Sequence, residues 1–330
     1  MGKIQLFSEQ AKEVSQDLGL KMGKANLEVF AETMMEMAAA DPSLLVVTSD
    51  SRGSAKLVPF AQEFPNQIVE VGIAEQNLVG IAAGLASTER QVFAVSPSCF
   101  LTARSLEQIK NDVAYSNNPV TLVGISAGAS YGALGTTHHS LHDFAALRAI
   151  NNIDIVVPSD NIETRCAIRA LASYGKPAFV RFGKAPLYDL HPESPGFEIG
   201  KAIQLREGPD ITVLATGELV QQAVLAGKLL ESSGISADIF SVHCLRPLDT
   251  SCILNSVRKT GTLITLEEHM IHGGLGEAVA GVLMEAGVHP KFKRLGIPDE
   301  YTVTGSQAEI FFHYNLLMEG LSEAITDFLS

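Results

Sequence analysis

Residues 69–84 read VEVGIAEQNLVGIAAG, a short apolar run that turns at Gly72 and enters a Gly/Ala-rich stretch. The run has the length of a buried strand, and the small residues after it let a helix lie close against a sheet. One acid, Glu75, stands near the start of that otherwise apolar helix. A carboxylate in a first turn complements the positive end of the helix dipole. Set against apolar neighbours, it can also hold or accept a proton. Strand, glycine turn and apolar helix form the unit of a layered α/β fold.

The same unit recurs on either side. Upstream, residues 25–39 and 54–64 read as helices and 44–48 as a buried strand. Downstream, 92–95, 120–125, 153–157 and 178–181 read as strands, with helices over 102–116 and 161–174. Such alternation predicts a mainly parallel sheet covered on both faces. The pattern lapses at 186–200, PLYDLHPESPGFEIG, whose prolines and glycines suit a linker. It then resumes with strands over 211–215, 237–241, 263–266 and 292–295, and helices ending near 232 and spanning 250–259, 274–286 and 316–329. The expected architecture is therefore two doubly wound α/β domains. Residues 1–23 form an N-terminal extension, 24–185 the first domain, 186–200 the linker and 201–330 the second domain.

Composition narrows the function. The chain has 330 residues, 46% of them hydrophobic, enough for two cores. A formal charge of −13 argues against nucleic acid or an anionic membrane as partner. No basic segment leads into an apolar run near Met1, and no apolar stretch is long enough to cross a bilayer. Cys99, Cys166, Cys244 and Cys252 are widely spaced and read as reduced, mostly buried thiols. The expected location is the cytoplasm.

Several strand ends carry candidate chemistry. The loop 124–142, GISAGASYGALGTTHHSLH, follows a strand and holds His138, His139 and His142. Ligands of open α/β sheets bind at the carboxyl ends of strands, which makes this a natural site loop. Phe100 and Asp50 also follow strands; Phe100 could offer a face to a planar ring, and Asp50 could cap a helix or touch a ligand. The segment 266–276, LEEHMIHGGLG, reads as structural or interfacial. There is no GxxxxGK[ST] loop, no GxSxG elbow, and no GDG stretch of the type that holds a magnesium pyrophosphate.

Taken together, EVGIAEQNLVGIAAGLA (70–86), SCFLTARSLEQIKNDVAY (98–115), GALGTTHHSLHDFAALR (132–148), FVRFG (179–183) and RLGIPDEYTVTGS (294–306) resemble the C-terminal half of transketolase. The likeness is strongest to the separately encoded C-terminal subunit of split bacterial transketolases, and it spans the chain from about Lys24 onward. It implies a pyrimidine-binding domain followed by a transketolase C-terminal domain, with thiamine diphosphate as cofactor. Glu75 matches the glutamate that hydrogen-bonds the aminopyrimidine, Phe100 the aromatic that stacks on it, and Asp50 an acid near the cofactor. His138 matches the histidine that contacts substrate oxygens, while Arg181 and Ser54, the latter at an expected helix start, match residues that bind substrate phosphate.

The departures point to the substrate. Leu134 stands where an acid usually reads a substrate hydroxyl, Ser126 where a histidine helps bind phosphate, and Lys24 at or next to the place of an arginine. The resemblance also implies a second polypeptide that carries the pyrophosphate motif and most of the Mg²⁺ site. A homodimer of this chain within a heterotetramer follows from the same likeness. The function expected is ketol transfer between sugars. The alternatives are a half of a related synthase of the 1-deoxyxylulose-5-phosphate type, or a non-catalytic subunit that stabilises a partner.

Overall fold

Val120–Ile125 and Ile211–Ala215 are apolar along most of their length and buried at every position, as central strands of sheets covered on both faces must be. The computed structural model describes residues 4–330 and builds one sheet around each of them. The first has seven strands, ordered Cys244–Arg246, Asp154–Val156, Ala178–Arg181, Val120–Ile125, Val92–Pro97, Leu45–Thr48 and Ile68–Glu70. All are parallel except the edge strand Cys244–Arg246, which runs antiparallel to Asp154–Val156. The second has five, ordered Lys291–Ile297, Thr262–Met270, Ile211–Ala215, Ala237–Ser241 and Ile203–Arg206, only the last antiparallel. This is the α/β pair expected of the chain.

The domains are sewn together. The edge strand Cys244–Arg246 is lent by the second half of the chain to the first sheet. One core cluster runs from Leu78, Leu122 and Phe144 of the first domain to Leu214, Phe240 and Leu275 of the second.

Both ends of the first domain depart from expectation. Within the segment expected as a linker, Pro186–Asp189 is a strand paired with Lys21–Ala25. Within the stretch expected as an extension, helix Glu9–Asp17 is capped by Ser8 and packs Ala11 into the second domain's core beside Val220 and Val224.

Two helices also begin elsewhere than read. The helix expected over 54–64 is shortened to Val58–Glu63, because Lys56 turns into the left-handed region and Pro59 suits only the first turn. Conversely, the helix expected from 102 starts at Ser98, straight off strand Val92–Pro97, and passes into a wide π turn over Ile109–Tyr115. That early start carries Phe100 to the strand end. Among the described residues no helix is long and apolar enough to cross a membrane.

Candidate active site

In the first sheet the chain leaves Leu45–Thr48 to add Ile68–Glu70 on one side, then returns to add Val92–Pro97 on the other. That reversal opens a crevice at the strands' carboxyl ends, the usual ligand position in such sheets. Ser49 and Ser96 meet across it, Oγ to Oγ at 2.8 Å. Asp50, just beyond, is exposed and takes φ +53°, and its N–H donates to Glu70 Oε1 at 2.6 Å. Ser126, at the end of Val120–Ile125, has φ +52° and is buried beside Tyr131. Two left-handed non-glycine residues at strand ends mark backbone held in an unfavourable conformation by its surroundings.

Glu75 opens the helix Glu75–Ala86 and is only 5% exposed. Its Oε1 accepts from Arg104 Nη1 at 2.9 Å, and the Arg104 guanidinium lies 4.0 Å from the Phe100 ring centroid. The Phe100 ring meets His138 edge-on at 5.3 Å, His138 meets Tyr131 at 5.5 Å, and the Lys184 amine sits 4.2 Å from the Tyr131 ring. Carboxylate, aromatic face, imidazole and ammonium thus form one continuous line. Its carboxylate end opens to a cleft lined by Ile73, Ala74, Glu75, Gln76, Asn77 and Arg104. Arg104 tests what this place accepts: a flat cation fits between the Glu75 carboxylate and the Phe100 face, as an aminopyrimidine would have to. Among the described residues no group of three or more His, Cys, Asp or Glu could hold a metal ion.

The His138 loop is fixed by its neighbour. His139 Nε2 lies 2.8 Å from the Gly132 carbonyl, so it carries the ring proton and donates it, leaving Nδ1 to accept from the Thr302 hydroxyl at 2.9 Å. Burial, helped by His138, holds the His139 pKa below its ordinary value, which keeps the ring neutral in this role. Leu134, the residue standing in place of an acid, is 56% exposed at the loop's tip.

Three residues expected to bind the substrate anion stand otherwise. Arg181 is buried: Nη1 donates to both Asp143 carboxylate oxygens at 2.8 and 2.9 Å and Nη2 to the Glu268 carbonyl at 2.7 Å. Its guanidinium also stacks at 3.9 Å on Phe144, so it is committed to the protein rather than turned to a substrate. Lys24 pairs with Glu32 on the surface. Ser54 is exposed in a turn before the helix rather than at its start. Besides Arg104, Lys184 faces the site, and burial and the nearby Lys56 both push its pKa down. Arg104, Tyr131 and Lys184 were not singled out in the sequence. A basic residue four positions after Phe100 on one helix was the only available signal for any of them.

Residues 23–188 match the transketolase pyrimidine-binding domain and residues 200–320 the transketolase C-terminal domain. The chain is 45% identical to one subunit of the apulose-4-phosphate transketolase of Phocaeicola vulgatus, covering 91% of this chain and 96% of that one. It is 33% identical to a 6-deoxy-6-sulfo-D-fructose transketolase subunit of a Clostridium species, over 84% and 86% of the two chains. A split-gene transketolase solved as an inactive β4 tetramer superposes with a TM-score of 0.84 at 32% identity, covering 93% of this chain and 99% of that one. A doubly wound fold that matches the pyrimidine-binding and C-terminal domains of transketolase is of the thiamine-diphosphate-dependent class. This chain belongs to the transketolase family.

Proposed function

We propose that this chain is the C-terminal subunit of a two-chain transketolase that moves a two-carbon ketol unit from an anionic ketose to an aldose. The observation that carries the reading is the line from Glu75 through Phe100 to His138 at the switch-point crevice. Thiamine diphosphate, once bound, supplies the carbon nucleophile that such transfer requires. Glu75 would hydrogen-bond the aminopyrimidine and Phe100 would stack on it, in the place between them that Arg104 now fills. His138 steers substrate oxygens, and Asp50 and Ser126 shape the rim.

A terminal anion is taken by Lys184, with Lys56, paired with Glu28 at 3.5 Å, and Ser54 of the same turn nearby. Lys56 disfavours the charge on Lys184, and an anion beside Lys184 would relieve that repulsion. Relatives that are themselves transketolase subunits support a separate partner. In this reading that partner brings the pyrophosphate and Mg²⁺ site, and the two chains assemble as a heterotetramer.

The test is ketol transfer by this chain mixed with a pyrophosphate-domain subunit, thiamine diphosphate and Mg²⁺, with each chain alone as control. Transfer is expected only in the mixture, and Glu75→Gln should lower it by ~100-fold or more. Release of CO₂ from pyruvate without ketose turnover would overturn the reading in favour of a synthase.

A further inference from the structure

The second domain has a switch point of its own. Its chain leaves Ile211–Ala215 for Ala237–Ser241 on one side and returns to Thr262–Met270 on the other. The crevice there would ordinarily hold a ligand. Here it receives backbone from the first domain. Glu218, in the turn Gly217–Leu219, accepts the Gly183 N–H at 2.8 Å through Oε1. Glu268 Oε1, on the neighbouring strand, accepts the Ala129 N–H at 2.8 Å and the Gln307 amide at 2.8 Å. The fit leaves no room for a side chain: a Cβ on Gly183 would stand 2.2 Å from Glu218 Oε2, and one on Gly128 2.1 Å from the Glu268 carboxyl carbon. Gly183 directly precedes Lys184, and Ala129 lies two residues before Tyr131 in the His138 loop. Both segments that face the substrate are thus hung on carboxyl groups of the other domain.

We propose that Glu218 and Glu268 are positioning residues: the second domain uses its switch-point crevice to hold Lys184 and the Tyr131–His138 loop in register. In its consequence for turnover, this rests on the transketolase reading. The latch is also sensitive to protons. Glu218 faces Glu268 from one strand and Arg181 from another; Glu268 in turn faces Arg181 and Asp143. Arg181, the one cation named there, already serves Asp143. Burial first, and Glu268 second, push the Glu218 pKa up to about 8. Near neutrality Glu218 therefore carries its proton, and at alkaline pH the part-buried Glu218 carboxylate confronts the buried Glu268 carboxylate and the latch loosens.

Amide exchange in the full chain tests this, comparing peptides over 126–142 and 178–190 with helix Asn161–Ala172 as internal control. In the wild type both peptides should lose protection between about pH 6 and about pH 9.5, beyond the intrinsic change in exchange rate. Glu218→Gln, which keeps an acceptor without the charge, should abolish that loss. Glu218→Ala should speed exchange in the 178–190 peptide by about tenfold near pH 6 without affecting the control helix. Gly183→Ala should do the same by pushing the acceptor away, which covers the case that the alanine variant at 218 misfolds. Unchanged exchange in both variants, or alkaline loosening retained in Glu218→Gln, would overturn the proposal. In the reconstituted enzyme Glu218→Ala should raise KM for an anionic ketose more than it lowers kcat. If wild-type enzyme transfers no ketol unit while the exchange pattern appears, the functional reading fails and the latch stands.

Discussion

In one cluster at the seam between the domains, Asp160 and Glu163 face His191 and His243; in another, Glu218, Glu267 and Glu268 crowd around Arg181. Apart from part-buried Glu218 both clusters are buried, yet their protonation runs in opposite directions. In the first, Asp160 Oδ2 accepts from the Leu190 and His191 amides and from His191 Nδ1, tying the segment after Pro186–Asp189 to helix Asn161–Ala172. Glu163 lies between His191 Nε2 at 3.2 Å and His243 Nδ1 at 3.3 Å. Burial opposes every charge there, but His243 and His191 still pull Glu163 down to about 2. Against the same opposition, Cys244 and Glu163 hold His243 up to about 10. In the second cluster burial wins: Glu218 rises to about 8, Glu267 to about 7, and His269 falls to about 4. The difference lies in the ratio of charges. Two acids against two imidazoles keep Glu163 and His243 ionised through neutrality and raise His191 in the same direction, whereas an excess of acids around one committed arginine leaves groups that titrate.

Glu163→Gln would break this cluster and should have the largest effect. It strips the His243 imidazolium, and His191 beside it, of their shared counter-ion, and a loss of about 3–5 kcal/mol in urea unfolding is expected. A loss within the error of the extrapolation would mean that the histidines are neutral and that the contrast is false.

The next effect is the pH dependence itself. Folded Glu218 and Glu267 bind their protons more tightly than the unfolded chain does, so they stabilise at low pH, and that stability drains away as pH rises from about 4.5 through their folded values. Glu163, with a depressed value, acts the other way: its contribution is present above about 4.5 and is lost as pH falls toward about 2. A Glu218→Gln/Glu267→Gln variant should therefore gain on the wild type by a few kcal/mol, on the order of 1.4 per unit shifted, between about pH 5 and about pH 8. A constant offset between the two curves would show that neither carboxyl titrates in that window.

The sequence revealed the frame better than the seam. Runs such as Val120–Ile125 and Ile211–Ala215 are dominated by β-branched and other apolar residues, and nothing but a central strand buries them so completely. Short, half-polar edge strands such as Ile203–Arg206 and Cys244–Arg246 carry no such signature, and only their partners make them strands. In the site, Glu75 stands out as the acid near the start of an apolar helix, whereas Phe100 and His138 are distinguished from their neighbours only by the family resemblance. Tyr131 and Lys184 do not stand out, since their place depends on ring contacts between segments far apart in sequence. For Arg181 the resemblance implies contact with a substrate anion, and nothing in the sequence alone signals its pairing with Asp143, 38 residues away.

Arg181 and Lys184, three residues apart, sharpen the comparison at the smallest scale. Arg181 is 5% exposed and belongs to the buried cluster; Lys184 is exposed and borders Tyr131. Arg181→Met should therefore act on stability, because it leaves Asp143 buried with Ser98 and Ser140 as its remaining side-chain donors. A loss of about 3 kcal/mol is expected, with KM nearly unchanged in whatever fraction stays folded. Lys184→Met should do the reverse. It removes no buried partner, so unfolding should shift by less than about 0.5 kcal/mol. With the anion's point charge gone, KM for an anionic ketose should rise by roughly tenfold, equivalent to about 1.4 kcal/mol, while a neutral ketose is handled as before. Added salt should raise the wild-type KM toward that of the variant, since an exposed ammonium is screened where a buried guanidinium is not. Should Arg181→Met instead raise KM at full stability, the guanidinium must leave Asp143 during turnover, and the division between structural seam and substrate site drawn through these three residues would have to be redrawn.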